Sequence, residues 1–199
     1  MNRFFHNVYI LIGPIIRLLF PWRARGMENV PEGPSLLCPN HAHAIDPVLV
    51  ALSLPNDFGI RFMGKEELFS KPVLGWFLRG VGGFPVKRGG NDLTAMKTSI
   101  KTLQDGGRLL VFPEGTRVKQ QGEVEAKGGV IVMAARTGAP IVPVYCGKSN
   151  KFLHRTSVVF GEPYHPVFAG RRPTAEETQK AAEDLLERIY ALKEVDAWK

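Results

Sequence analysis

Ser35-Leu36-Leu37-Cys38-Pro39-Asn40-His41-Ala42-His43-Ala44-Ile45-Asp46-Pro47-Val48-Leu49-Val50 passes from an apolar run, through a polar loop, into a second apolar run opened by proline. The first run reads as a strand. The second reads as a helix, because proline is suited to a helix's first turn. The same alternation recurs downstream. Strand-like runs fall at 35–39, 60–63, 84–87, 108–112, 141–145 and 157–160, with helical segments at 47–54, 72–81, 92–103 and 128–137. Short strands alternating with helices predict an α/β fold, a mixed, mostly parallel sheet covered by helices. Near the end, Thr174 with Glu177 has capping-box spacing, and Ala182, Leu185, Leu186 and Ile189 recur at helical intervals. This predicts a docked amphipathic helix with a solvated charged face.

At 199 residues the chain suits one compact domain. Its 44% hydrophobic and 23% charged content is that of a globular protein rather than a disordered one. A formal net charge of +7 calls for an anionic partner: nucleic acid, lipid headgroups or a phosphorylated substrate. Nucleic acid is not expected, because the aromatic residues are not interleaved with cations in a recognisable binding motif. Cys38 and Cys146 are too few for a disulfide framework, which points to a reducing compartment and to buried, unreactive thiols.

The N-terminal stretch from Val8 to Phe20 is strongly apolar but short, and it is interrupted by Gly13-Pro14 and by Arg17. A crossing of the bilayer needs about 20 apolar residues, so shallow insertion fits better than spanning. Arg3, Arg17, Arg23 and Arg25 suit anionic headgroups, and Phe4, Phe5, Tyr9 and Trp22 suit the interface. Residues 1–25 are therefore expected to form a membrane-interface helical segment, and residues 26–199 the catalytic domain.

Four groups of residues carry candidate chemistry. His41 follows a strand, and an imidazole can accept a proton from an alcohol. Asp46, five residues on, can curl back to hold the opposite ring nitrogen, a pairing of base and orienter that also fits a plain helix start at Asp46. His41 and His43 resemble the opening of the metallo-β-lactamase metal signature, but Ile45 and Pro47 break that pattern, so no metal is expected. Phe112-Pro113-Glu114-Gly115-Thr116-Arg117 emerges at another strand end. There glycine permits a tight turn, Arg117 suits phosphate, and Glu114 suits a glycerol hydroxyl or an arginine. In Gly82-Gly83-Phe84-Pro85-Val86-Lys87-Arg88-Gly89-Gly90, two cations sit between glycines, without the ending of a nucleotide-binding P-loop. Lys127, before Gly128-Gly129, adds a cation beside a helix N-terminus.

Taken in order, these pieces resemble the glycerolipid acyltransferase family, and within it the 1-acylglycerol-3-phosphate (lysophosphatidic acid) acyltransferases. The matching blocks are His41 with Asp46, flanked by Asn40 and Pro47; Gly83-Phe84-Pro85-Val86 with Arg88; Phe112 to Arg117; and Ala139-Pro140-Ile141-Val142-Pro143-Val144. The resemblance covers roughly residues 26–165. His43 stands where serine is frequent, and Lys87 where an acidic residue often precedes the motif arginine, which makes the phosphate pocket more basic.

The resemblance implies an enzyme that moves a fatty acyl group from acyl-carrier-protein or coenzyme A thioester to the sn-2 hydroxyl of 1-acylglycerol 3-phosphate, giving phosphatidate. It implies His41 as general base and Asp46 as its orienter. Lys87, Arg88, Glu114, Gly115, Thr116, Arg117 and Lys127 would serve the acceptor's glycerol phosphate, and Pro143 would shape the acceptor or acyl site. No covalent acyl-enzyme and no cofactor beyond the thioester are implied. The expected location is the cytoplasmic face of the cell membrane, monotopic or peripheral. The alternatives are the same chemistry on another lipid acceptor, or a catalytically silent membrane-binding module.

Overall fold

A computed structural model describes residues 3–55, 59–87, 90, 92–147, 152–170 and 172–195. In chain order the elements are α1 (Arg3–Leu19), β1 (Trp22–Arg25), β2 (Ser35–Pro39), α2 (Asp46–Ser53), β3 (Ile60–Lys65), α3 (Glu66–Phe69), α4 (Pro72–Gly80), β4 (Gly83–Val86), α5 (Leu93–Gln104), β5 (Arg108–Leu110), α6 (Gly129–Thr137), β6 (Ile141–Cys146), β7 (Thr156–Phe160) and α7 (Ala175–Ala191). The strands form one seven-stranded sheet in the order β1-β7-β6-β2-β5-β3-β4. Every pairing is parallel except that of β6 with β7. The α/β, mostly parallel architecture is the one the alternation predicts.

β2 lies near the middle, buried along its whole length, and successive side chains sort to opposite faces. Leu36 and Cys38 join Leu109, Ile141, Ile131 and Leu185 on the face covered by α5, α6 and α7. Leu37 joins Leu110, Val142, Val144 and Leu49 on the other face, beside α2 and the Ile16 and Phe20 side of α1. Each of the two free cysteines fills one of these layers, Cys38 the first and Cys146 the second.

One feature departs from the sequence reading. Residues 22–25 are an edge strand of the sheet rather than part of the N-terminal segment, with Trp22 opposite Thr156 and its ring nitrogen donating to Ser53 Oγ at 2.8 Å. The aromatic residue reads equally well as an interface anchor and as core, and only tertiary packing decides. α1 runs unbroken through Gly13 and Pro14. A single proline removes one donor and bends a helix, but packing against α2 outweighs that loss. No helix among the described residues is long and apolar enough to cross a membrane.

Candidate active site

Parallel strands place their C-terminal ends on one edge of the sheet, which is where α/β proteins build their sites. The loops after β2, β5, β3 and β4 all open there, because these four strands pair in parallel with one another. The loop after β2 is fastened at its root by Asn40. This buried side chain donates from Nδ2 to the Cys146 carbonyl at 3.1 Å, and its Oδ1 accepts from the Cys146 N–H at 2.7 Å, tying the ends of β2 and β6 together.

Asp46 is wholly buried at the start of α2, with Ile45 rather than Asp46 as the N-cap. Its Oδ2 accepts from the Ala42 N–H at 2.8 Å and the His43 N–H at 2.7 Å, and lies 3.2 Å from His41 Nδ1. One carboxylate oxygen thus shapes the loop and holds the ring. The contact directs Nδ1–H at the carboxylate and leaves Nε2 as the proton acceptor. Phe112 supports the ring from beside it, with centroids 4.1 Å apart and planes tilted by 33°.

Glu114 is the second buried acid, 2% exposed. Its Oε2 accepts from the His41 backbone N–H at 2.6 Å, and its Oε1 accepts from the Tyr190 hydroxyl at 2.6 Å. Each oxygen has a partner inside the protein, so Glu114 holds the histidine loop. Burial pushes its carboxyl above the usual range, against the lowering pull of the Tyr190 and His41 hydrogen bonds. The loop is pinned once more where the Val118 N–H donates to the His41 carbonyl at 2.8 Å.

After Glu114 the chain turns outward. Gly115 takes φ 67°, and Gly115, Thr116 and Arg117 are exposed. The Lys127 N–H donates to the Pro113 carbonyl at 2.7 Å, and a Cβ on Gly115 would stand 3.2 Å from Lys127 Cγ. Lys127 therefore lies against this turn, beside the helix that starts at Gly129.

Lys87 follows β4, three strand positions from β2 and so about 14 Å across the sheet. Its N–H donates to Asp92 Oδ2 at 2.9 Å, and its Nζ is 3.9 Å from Glu66 Oε1, both on an exposed surface. Arg88 lies outside the described residues. Pro143 is not at an opening. It is buried in β6 between β2 and β7, with its ring close against Gly161, which makes it a packing residue of the sheet rather than a wall of the site.

Sequence reasoning missed Tyr190. It sits on α7, whose charged face reads from the sequence as only solvated, yet it continues the Ala182 and Leu186 row at i+4 spacing, a sign of partial burial that names no partner.

The family model described as "Acyltransferase" matches residues 22–147. A protein of Bacillus subtilis (strain 168) named 1-acyl-sn-glycerol-3-phosphate acyltransferase is 33% identical over 174 residues, covering 83% of this chain and 85% of that one. A protein of the same name from Streptococcus pneumoniae is 34% identical over 144 residues, covering 69% of this chain and 52% of that relative. The crystal structure of the 1-acyl-sn-glycerophosphate (LPA) acyltransferase PlsC from Thermotoga maritima superposes with TM-score 0.65 at 24% identity, over 96% of this chain and 78% of that one, and shares its fold.

Proposed function

Because this chain belongs to the acyltransferase family, we propose that it transfers a fatty acyl group from a thioester to the free sn-2 hydroxyl of 1-acylglycerol 3-phosphate, giving phosphatidate. The observation that carries this reading is the His41 ring held 3.2 Å from buried Asp46 at the mouth of a turn that presents Gly115, Thr116, Arg117 and Lys127. The names of the relatives supply the acceptor.

In the proposed reaction His41 Nε2 takes the proton of the acceptor hydroxyl as its oxygen attacks the thioester carbonyl. The tetrahedral intermediate collapses, the carbon–sulfur bond breaks, and the leaving thiolate takes the proton back from His41. Asp46 holds the tautomer and supports the transient imidazolium. The phosphate does not react, so it serves as a handle: Arg117 and Lys127, with Arg88, are the cations offered to it, and binding energy there fixes the hydroxyl near His41. The thiol is that of acyl-carrier protein or coenzyme A, and the chemistry needs no further cofactor. The enzyme works at the cytoplasmic membrane face, held by the apolar side of α1, with β1 onward forming the catalytic domain.

Purified protein should be assayed with lysophosphatidate and each thioester in turn, following thiol release and lipid product, beside His41→Ala. Phosphatidate from the wild type and a loss of about 100-fold or more in the folded variant support the reading. Acylation of a different lipid would replace the acceptor, and equal activity in the variant would remove His41 from the reaction.

A further inference from the structure

Arg17 interrupts the apolar run of α1, and its guanidinium lies over the ring of buried Trp22, 4.8 Å from the centroid, where β1 begins. The Trp22 ring nitrogen donates to Ser53 Oγ, which in turn donates to the Leu49 carbonyl at 2.7 Å, and the Tyr9 hydroxyl donates to the Leu52 carbonyl at 3.4 Å. These bonds fix α1, β1 and the end of α2 around a cavity of about 390 Å³, whose wall includes Tyr9, Arg17, Trp22, Arg23, Arg25 and Ser53. No Asp or Glu lines it among the described residues. Three arginines with no carboxylate among them suit a phosphate.

The cavity has a definite place relative to His41. β7 runs antiparallel to β6 with Val158 opposite Cys146, so Thr156 and its partner Trp22 lie beyond the Cys146 end, the edge to which Asn40 fastens the His41 loop. β1 is three strand positions from β2, about 14 Å across the sheet. α2 bridges this interval: Asp46 at its start holds the His41 ring, and Ser53 at its end stands in the cavity wall.

The thioester of the proposed reaction brings a phosphate of its own. In acyl-carrier protein and in coenzyme A alike, the thiol ends a pantetheine arm whose other end is a phosphate ester. That arm has about as many chain bonds as four extended residues, a reach of roughly 14 Å. With the thioester carbonyl at His41, the donor's phosphate falls one arm's length away and needs cations other than those offered to the acceptor. Lys87 is as far from β2 on the opposite side, but it is engaged with Glu66.

We propose that the cavity walled by Arg17, Arg23 and Arg25 binds the phosphate of the donor's pantetheine arm and so selects phosphopantetheine thioesters over simple ones. This rests on the acyl-transfer reading above and adds the donor's side of the same site. β1 and the turn after β5 lie on opposite sides of β2, so donor and acceptor reach His41 from opposite directions and do not compete for one set of cations.

The test compares kcat/KM of the full chain for acyl-carrier-protein and coenzyme A thioesters with that for acyl-pantetheine, which lacks the phosphate, at saturating lysophosphatidate. In Arg17→Gln and in Arg25→Gln the preference for the phosphorylated donor should fall about tenfold or more, and Arg17→Lys should recover part of it. Calorimetry with phosphopantetheine alone should show binding to the wild type and binding about tenfold weaker to both glutamine variants. Transfer by the wild type with the preference unchanged in both variants overturns the proposal and leaves the acyl-transfer reading standing. Phosphopantetheine binding that depends on the arginines, without transfer to any lipid, upholds the cavity and defeats the reaction reading; absence of both defeats both. If the glutamine variants lose co-sedimentation with phosphatidylglycerol vesicles while the donor preference holds, the arginines serve lipid headgroups and the proposal fails.

Discussion

The Tyr190 hydroxyl, on α7, donates to Glu114 Oε1 at 2.6 Å, while the other oxygen of the same carboxylate holds the backbone of His41. A contact between residues 76 positions apart thereby braces the His41 loop from outside the segment the family model matches. Tyr190→Phe leaves a buried acceptor without its donor, at a cost of about 1–3 kcal/mol. Loosening of the His41 backbone should lower kcat about tenfold with little change in KM, since no group offered to the phosphate is altered. Steady-state kinetics on the two proteins checks the split. A KM effect with kcat unchanged would mean that Tyr190 serves acceptor binding instead.

The same pair sets a pH dependence. Burial raises the Glu114 carboxyl above 4.5, and Tyr190 opposes that rise. Only the ionised form accepts both hydrogen bonds, so activity should fall as pH drops through this raised range, and Tyr190→Phe should move the acid limb to higher pH. The stability effect has the opposite sense. A carboxyl raised in the folded state binds its proton more tightly there than in the unfolded chain, so its contribution to stability is present in acid and lost as pH rises through the folded value. Tyr190→Phe raises the group further, and its deficit in Tm should therefore be larger at neutral pH than in acid. A gap independent of pH would detach Tyr190 from the ionisation of Glu114.

Asp46 accepts from the Ala42 and His43 N–H groups and from the His41 ring through one oxygen, so a substitution that keeps an acceptor there separates shape from charge. The amide introduced by Asp46→Asn preserves an acceptor for the loop but not the negative charge that favours imidazolium. This variant is expected to lower kcat by about 100-fold or more, with circular dichroism unchanged and KM for lysophosphatidate close to that of the wild type. Activity within about threefold of the wild type would show that the charge is not needed.

The legible parts of this molecule were the local ones. β2 and the helix after it follow from an apolar run, a polar loop and a proline, and the His41 and Asp46 pair lies within six residues, so spacing alone suggests the contact that the structure closes. Thr174 and Glu177 likewise close their capping box within one turn. The illegible parts needed distant partners. Trp22 became core because β7 and Ser53 are there to receive it. Glu114 became a brace because Tyr190 arrives from α7. Pro143 carries a motif position but is enclosed by neighbouring strands, which no one-dimensional pattern announces.

Gly115 takes φ 67°, a region that costs a side-chain-bearing residue about 1 kcal/mol or more, and a Cβ there would press on Lys127 Cγ at 3.2 Å. Gly115→Ala should therefore lower Tm modestly and, by displacing the lysine, raise KM for lysophosphatidate several-fold. Thermal unfolding measures the first effect and acceptor titration the second. A drop in Tm with KM unchanged would limit Gly115 to a backbone role.

Two lysines of equal charge make the final contrast. Lys127 lies against the turn that carries Gly115, whereas Lys87, equally exposed, stands about 14 Å across the sheet from β2 and is engaged with Glu66. A charged contact to bound phosphate is worth about 1.5–3 kcal/mol, and a surface ion pair about 1 kcal/mol or less. Lys127→Ala is accordingly expected to raise KM for lysophosphatidate by about tenfold or more and to flatten its dependence on salt, while Lys87→Ala should change KM less than threefold. Acceptor titrations at low and high ionic strength decide between them. A larger effect at Lys87 would make Lys87 a phosphate contact and leave Lys127 as a support for the Glu114 turn.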